Sequence, residues 1–408
     1  MTRYLVGHAA HPRWAEALAR AAAQIDAQAA QGLLAAEPTL GFVYFSDHYA
    51  AEAEALYAAL RVRWPGVAWT GSAGVGVAAT GVEHFDEPAL VLMLADLPRE
   101  RFAIFSGAKP LAGFSGLDPA TALVHADGQA PELPELIDDL AERMDSGCVF
   151  GGLVASRTRR AQIADGVFEG GLSGVAFSAD VALVSRITQG CQPVGATRRI
   201  TRCDRNVVLE LDGVPALDCL LGDLGITLDD PRHAAAALRA TLAGLAAPGE
   251  TLPWHPTRSA AAKRHRAFGT DVLVRHLIGI DPTRRGVAVA EALEPGMTLA
   301  FCQRDRAAAR RDLVRICAEI RDSLVPETVG TDADASEASD PAERMVGAIY
   351  VSCAGRGGPH FGAPSAELQI VRHALGDVPL VGFFAAGEIG GHHLYGYTGV
   401  LTVFTRGA

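Results

Sequence analysis

The sequence predicts a mixed α/β fold, with two domains of mixed β-sheet that carry helices on their outer faces. At 408 residues the chain is too long for one ordinary hydrophobic core. Short runs of β-branched and aromatic residues, bounded by glycine and proline, alternate with amphipathic helical patterns. One order of strand, polar turn, helix, strand and glycine turn occurs three times, which indicates internal duplication.

Each copy is a β-α-β-β unit, because another strand follows it after a loop of variable length. A glycine turn falls after the same strand in every copy, and this favours duplication over a chance match. When the copies are compared, Ser46 matches Ser352 and Gly74 matches Gly387. The copies and their last strands are 41–76 with 89–95, 121–156 with 172–179, and 347–391 with 397–404.

The other elements are taken in chain order. An alanine-rich helix is predicted over 12–31 and a series of hairpins over 181–214. An Ala/Leu helix is predicted over 231–246, two or three strands over 270–305, and a helix over 307–324. A domain boundary between the hairpins and the next helix gives an N-terminal helix region, an N-terminal domain and a C-terminal domain at 1–30, 31–205 and 206–408.

Two segments are poor in large apolar residues. Residues 326–344 are small and acidic, and such a composition buries too little surface to offset the entropy of ordering, so we predict a mobile surface loop. Residues 255–269 are basic and predict a loop or an exposed strand, with phosphate binding as a second interpretation.

Composition argues against several classes of protein. The net charge of -11 argues against general nucleic-acid binding, because neutralising phosphates needs an excess of cations. We find neither a signal peptide nor a run of roughly 20 apolar residues, so we expect no membrane partner and a cytoplasmic location. The seven cysteines contain no CxxC pair, which disfavours structural zinc and a disulfide framework.

The candidate site lies in the C-terminal copy, where two glycine turns follow two neighbouring strands. Open sheets with helical crossovers tend to bind ligands at that edge. Arg356 suits bidentate binding of a carboxylate or phosphate, and Glu388 suits an ammonium group, so together they suit a zwitterion. The predicted ligand-binding residues are Ser352, Cys353, Arg356, Gly357, Gly387, Glu388 and Gly390.

Other roles remain open for these side chains. Arg356 is also consistent with a surface residue, and Glu388 with an exposed turn residue or a cap for local N–H groups. Cys353 is a candidate nucleophile, with His360 or a histidine of the next turn as the base, although a cysteine at a strand end more often packs in the core.

The pair His392-His393 offers an imidazole to haem iron or a transition metal. Adjacent histidines on a turn point in different directions, so at most one would be a ligand. We therefore predict no cofactor and no metal site, and keep non-covalent haem as an alternative. In the first copy, Ser46, Asp47 and Ser72 occupy places equivalent to the C-terminal site, and we prefer a structural role for them over a second pocket.

Several motifs resemble FIST-domain proteins. SCAGRG (352–357), VPLVGFFAAGEIG (378–390) and LYGYTGVLTVF (394–404) are similar to the C-terminal half of that family. WTGSAGVG (69–76) and FGGLVAS (150–156) are similar to its N-terminal glycine turns. The resemblance extends over nearly the whole chain from about residue 30.

The resemblance implies a FIST N-like domain, a FIST C-like domain, and a sensory module for a small ligand such as an amino acid. It implies signalling through a separate partner protein, and it also allows a haem-dependent gas sensor. Ser72 stands where the family often has Cys, and Tyr395 where it usually has His, so no histidine role is carried over there. We predict a non-catalytic sensor; a hydrolase or transferase using Cys353 is the alternative, and no oligomeric state is indicated.

Overall fold

The computed structural model shows two compact units, one of residues 1–189 with 310–408 and one of residues 190–309. The predicted basic segment 255–269 lies outside the described residues, as does the predicted acidic loop up to residue 340. The last residues of that loop, Pro341–Arg344, form a short helix. The structure describes residues 3–34, 36–111, 118–249, 272–325 and 341–406.

The larger unit consists of three repeats, each of which is a β-α-β-β unit preceded by one additional strand, and in the first repeat a helix follows that strand. The first repeat is β1 Leu5–Ala10, α1 Trp14–Ala29, β2 Leu40–Ser46, α2 Ala53–Arg63, β3 Ala68–Gly74, β4 Gly76–Ala79, β5 Val82–Phe85 and β6 Ala89–Ala95. The second is β7 Phe102–Ser106, β8 Pro119–Ala126, α3 Leu133–Glu142, β9 Cys148–Leu153, β10 Gln162–Ala164, β11 Val167–Phe168 and β12 Leu172–Ser178.

The third repeat begins with β13, Leu183–Gln189, and is then interrupted by the smaller unit. That unit contains β14 Cys191–Pro193, β15 Arg198–Asp204, β16 Val207–Leu211, β17 Val214–Pro215, α4 Ala216–Leu224, α5 Pro231–Ala240, β18 Thr241–Ala246, β19 Leu273–Asp281, β20 Gly286–Val289 and β21 Thr298–Arg304. The chain continues with α6 Arg306–Ser323, α7 Pro341–Arg344, β22 Met345–Cys353, α8 Ala366–Leu375, β23 Leu380–Ala385, β24 Glu388–Gly391, β25 His393–Tyr395 and β26 Thr398–Thr405.

Each repeat builds a sheet around two parallel strands, and over the described residues each sheet has six strands. The parallel pairs are β2 with β3, β8 with β9, and β22 with β23. The return strands β6, β12 and β26 pair antiparallel with the first strand of each pair. Beyond them lie β1, β7 and β13. The mixed α/β fold built from duplicated β-α-β-β units is thus confirmed.

The hairpin that follows each parallel pair joins the sheet of another repeat. The hairpin β4–β5 pairs with β23, β10–β11 pairs with β3, and β24–β25 pairs with β9. The first repeat therefore completes the third sheet, the second completes the first, and the third completes the second. Each hairpin covers a strand edge that would otherwise be exposed, so the cyclic exchange joins the three sheets into one folding unit.

The inner faces of the three sheets meet in one central core, and the helices cover the outer faces. At the centre of this core the rings of Tyr44 and Phe383 stack with centroids 5.0 Å apart. The Tyr44 hydroxyl lies 3.2 Å from Nε2 of His125. Burial lowers the pKa of His125 to about 3, so its ring is neutral. The three side chains come from three different repeats, which fixes the repeats against one another.

A glycine at one register of the second parallel strand lets the strands approach closely. Gly71, Gly151 and Gly382 each face a residue of the first strand. A Cβ at these positions would lie 1.7, 1.9 and 1.7 Å from that residue's carbonyl oxygen. No side chain fits there, so these glycines mark equivalent positions in the three repeats.

When the repeats are aligned on these glycines, the residue matches predicted from the sequence move by one or two positions. Ser46 aligns with Cys353 rather than with Ser352, and Gly74 aligns with Ala385. The match that we predicted from the sequence was wrong because the turns after the strands differ in length.

The smaller unit is a ring of antiparallel strands. β15, β16, β20, β19, β18 and β21 pair in this order, and β21 returns to β15. The helix predicted over 231–246 was wrong beyond Ala240, because 241–246 form the fully buried strand β18. Alanine and leucine favour a helix, but β18 is needed to close the ring, and tertiary context overrides local propensity.

The sequence-based division at 205/206 lies inside the smaller unit. The third repeat is interrupted by that unit, so the larger unit is discontinuous in the chain. In the part of the chain that the structure describes, every helix is too short or too polar to cross a lipid bilayer.

Candidate functional site

Arg356 lies in the loop that joins β22 to α8, and its side chain is buried, with 1% of its surface exposed. Its Nε and Nη2 donate to Oε1 of Glu367 at 2.8 and 2.6 Å. Its Cζ lies 5.1 Å from the centroid of the Phe361 ring. The interpretation of Arg356 as a surface side chain is therefore wrong, and its guanidinium belongs to a buried ion pair.

Glu367, in the first turn of α8, was not among the residues predicted from the sequence. Tyr350 donates to its Oε1 at 2.7 Å, and Ser352 donates to its Oε2 at 3.0 Å. A glutamate in the first turn of a helix usually faces solvent and interacts with the helix dipole. Its position directly before the buried Leu368 was the signal in the sequence, because it places the carboxylate next to the core face.

Glu388 is the first residue of β24 and is fully buried. Its Oε2 accepts hydrogen bonds from the backbone N–H of Thr398 at 3.0 Å and from its hydroxyl at 2.6 Å. The exposed-turn interpretation of Glu388 is therefore wrong, whereas the capping interpretation holds for one of its two oxygens. Within the described residues, Oε1 has no hydrogen-bond partner.

Burial is the largest cause of the pKa shifts in the site, and the neighbouring charges add smaller effects. Burial raises the pKa of Glu388 to about 8, although hydrogen bonds from Thr398, the charge of Arg356 and a hydrogen bond from the Cys353 thiol oppose the rise. Burial also raises the pKa of Cys353 to about 12, with the charge of Glu388 adding to it. Nη1 of Arg356, like Oε1 of Glu388, is buried and lacks a partner among the described residues. Among the described residues, the Arg356 guanidinium thus has one nitrogen, and the Glu388 carboxylate one oxygen, without a hydrogen-bond partner.

The other two repeats provide an internal comparison for Glu388. Pairing relative to the shared glycines places Val77 and Gln162 at the same register as Glu388. Val77 is apolar. Gln162 is satisfied, since its Oε1 accepts from Ser173 at 2.6 Å and its Nε2 donates to the carbonyl of Gly170 at 3.4 Å. Among these three equivalent positions, the third repeat alone carries an ionisable group with an unpaired oxygen.

The predicted site glycines pack against the protein itself. A Cβ at Gly357 would lie 2.1 Å from the Phe85 ring, and one at Gly390 would lie 2.7 Å from Ile187. A Cβ at Gly387 would approach Leu153 and other atoms at 3.1 Å or more. This packing accounts for glycine at these positions, and their contact with a ligand stays a prediction.

His392 and His393 lie at the tip of the β24–β25 hairpin. Strand pairing places His393 opposite Gly390 and Tyr395 opposite Glu388, so the histidine pair and Glu388 occupy opposite ends of the hairpin. In the described ranges, no group of three or more His, Cys, Asp and Glu side chains is arranged to hold a metal ion. Haem ligation stays an untested alternative.

In the first repeat, Ser46 and Asp47 make structural contacts. The Ser46 hydroxyl accepts from the backbone N–H of Ala89 at 3.0 Å. Asp47 forms a two-pronged ion pair with Nε and Nη2 of Arg157, at 2.7 and 2.8 Å. Ser72 is buried, and its hydroxyl has no partner within the described residues. The carboxylate of Asp47 is therefore already paired with the guanidinium of Arg157.

We expect Cys353 to be alkylated slowly in the folded chain. A thiol whose pKa is about 12 holds on the order of a thousandfold less thiolate at pH 8 than an ordinary cysteine. Iodoacetamide labelling at pH 8, followed by mass spectrometry, should show this ratio between the folded chain and the chain in concentrated urea. Equal rates in the two states would restore Cys353 as a candidate nucleophile.

Comparison with known families matches the FIST N domain to residues 39–214 and the FIST C domain to residues 216–391. "Uncharacterized protein MT0656" from Mycobacterium tuberculosis (strain CDC 1551 / Oshkosh) is 30% identical over 404 residues, covering 94% of this chain and 96% of the relative. "Uncharacterized protein Mb0898c" from Mycobacterium bovis is 28% identical over 405 residues, covering 94% and 95%. Both similarities extend over nearly the whole length of this chain and of the relative.

Proposed function

Because the chain belongs to the FIST family, whose domains are sensory domains of signal transduction, we propose that it binds a small amino-acid-like metabolite and signals through a separate protein. The binding site in this proposal is the Arg356–Glu388 cluster, which consists of Cys353, Arg356, Glu367 and Glu388. Ligand binding acts by shifting a conformational equilibrium that the partner recognises. We place this activity in the cytoplasm.

The observation that carries the proposal is the pair of unused buried atoms, Nη1 of Arg356 and Oε1 of Glu388. Buried polar atoms are nearly always hydrogen-bonded, so an unpaired donor and an unpaired acceptor in one cluster mark a place for a polar molecule. The ammonium group of a ligand would donate to Glu388, and a carboxylate or carbonyl oxygen would accept from Arg356.

The contacts of Arg356 limit how it can bind a ligand. We predicted bidentate binding from the sequence, but Glu367 occupies the Nε–Nη2 edge of the guanidinium. A ligand can therefore contact Arg356 through Nη1 alone, with one oxygen. This leaves Glu388 as the main determinant of ligand charge and favours molecules with a protonated amine.

Ligand entry requires the site to open, because both unused atoms are buried. A cavity of about 10 Å³ lies behind α8, and its lining, which includes Gly81, Leu368 and Val371, contains neither Arg356 nor Glu388. It has room for about one water molecule. The loop that carries Arg356 must therefore move before a metabolite can reach the cluster.

We expect binding to strengthen as the pH rises from 6 to 8. Glu388 must be ionised to accept an ammonium group, and its pKa is about 8, so affinity should rise roughly tenfold per pH unit below that value. Thermal-shift screening with amino acids, their amides and simple amines would identify a ligand, and calorimetric titration would then measure the pH dependence.

Matched variants separate this role of Glu388 from general effects. Glu388→Gln reproduces the neutral side chain that the second repeat carries as Gln162, so it should abolish binding and its pH dependence. Glu54→Gln changes an exposed first-turn glutamate of α2 and should bind like the wild type. Undiminished binding by Glu388→Gln would refute the proposed site.

A further inference from the structure

One face of β5 holds the loop that carries Arg356. Oε1 of Glu83 accepts from the backbone N–H of Ser365 at 2.8 Å, and the N–H of Glu83 donates to the Ser365 hydroxyl at 3.0 Å. The Phe85 ring packs directly on Gly357, where even a Cβ would not fit. Since β5 belongs to the hairpin that completes the third sheet, a segment of the first repeat packs against the loop that carries Arg356.

The other face of β5 contacts β1, at the start of the first repeat. Side chains alternate along a strand, so His84 points away from Glu83 and Phe85. Its Nε2 lies 3.0 Å from Nδ1 of His8 in β1, and its Nδ1 lies 2.8 Å from the carboxylate of Glu87. Glu87 accepts the Nδ1–H of His84, so in the neutral pair His84 accepts through Nε2 and His8 donates.

We propose that the His8–His84 contact is a latch that opens on protonation and controls access to the Arg356–Glu388 cluster. The latch acts through β5, because this strand has His84 on one face and the side chains that hold the Arg356 loop on the other. The role in access rests on the proposed function of the cluster, but the latch itself can be tested without a ligand.

Protonation opens the latch because the contact needs one nitrogen without a proton. When both rings are protonated, two N–H groups face each other and two positive charges stand where the hydrogen bond was. Burial, and then the charge of His84, already lowers the pKa of His8. A histidine with a lowered pKa in the closed state stabilises that state above its ordinary value of about 6.5 and loses this contribution as the pH falls.

The surroundings of the pair support histidine titration as the trigger. From β6 and α1, the residues that face the backbone of His8 are Val91 and Gln24, which carry no charge. The charged group that faces His84 is the carboxylate of Glu87, 2.8 Å from its Nδ1. Tyr49 lies near Glu87, and burial raises its pKa, so it is neutral throughout the acid range.

The test is amide hydrogen exchange of the chain without ligand, followed by mass spectrometry at pH 5.5 and 7.5 and corrected for intrinsic exchange rates. In the wild type, protection of residues 354–365 should fall by up to about tenfold at pH 5.5, one unit below the ordinary histidine pKa. His8→Gln and His84→Gln remove the titration, and their protection should not change with pH. His392→Gln, at the tip of another hairpin, should respond like the wild type.

The latch is refuted if wild-type protection of 354–365 is the same at both pH values, or if both glutamine variants lose protection at pH 5.5 as the wild type does. The peptide covering α3 in the second repeat reports general acid destabilisation and should not change. Failure of Glu388→Gln to affect binding would refute the proposed ligand site and leave this result intact, so the two proposals fail separately.

Discussion

Gly382→Ala is expected to lower the free energy of unfolding of the larger unit by more than about 4 kcal/mol, a loss beyond that of most single substitutions. The added Cβ would lie 1.7 Å from the carbonyl oxygen of Tyr350. Backbone cannot move aside as the end of a side chain can, so β22 and β23 must separate. Urea unfolding followed by circular dichroism measures the loss, and failure to obtain folded protein agrees with the prediction.

Two comparisons make this result specific. Gly66→Ala adds the same methyl group where no atom lies within 4 Å, and it should change stability by less than about 0.5 kcal/mol. Gly71→Ala and Gly151→Ala should be as damaging as Gly382→Ala if the three repeats are equivalent. A Gly382→Ala protein as stable as the Gly66→Ala control would contradict the close approach of the parallel strands.

Arg356→Met is expected to destabilise the folded chain by about 3–5 kcal/mol. The substitution leaves the carboxylate of Glu367 buried without its cation, because the remaining donors, Tyr350 and Ser352, are neutral. Unpaired buried charge is costly, whereas a buried ion pair adds little beyond an apolar pair of the same size. Equilibrium unfolding in urea of the wild type and the variant would measure the difference.

The double variant with Arg356→Met and Glu367→Met is the matched control. It removes both charges and should recover most of the stability that Arg356→Met loses. The coupling free energy from this double-mutant cycle should exceed about 1 kcal/mol, as expected for residues in direct contact. A loss below about 1 kcal/mol in Arg356→Met alone would contradict the cost assigned here to breaking the buried ion pair.

The repeats could be predicted because the patterns that identify them are short and continuous in the sequence. Strands buried on both faces appear as short apolar runs, and the glycine turns follow directly along the chain. The exchange of hairpins could not be predicted, because the sequence of β4, GVAA, does not specify whether its partner is β3 or a strand some 300 residues later. Pairing of that kind is decided by the packing of the complete core.

The site was partly predictable for a similar reason. Arg356 and Glu388 follow two parallel strands, and the ends of such strands meet at one edge of a sheet, so their proximity was expected. The loop that carries Arg356 packs against Glu83 and Phe85 of the first repeat, and Glu388 lies on β24, which pairs with β9 of the second repeat. Residues distant in sequence thus decide whether a charged group of the third repeat is exposed or buried.

The cyclic exchange of hairpins has a consequence for synthesis on the ribosome. Val77 pairs with Phe383, so the first hairpin leaves the exit tunnel long before its partner strand exists. At 5–20 residues per second, the nascent chain carries this unpaired segment for roughly 15–60 s. We therefore expect the β4–β5 hairpin to reach its final position only after β23 has been synthesised, and a chaperone that binds exposed strands to improve the yield.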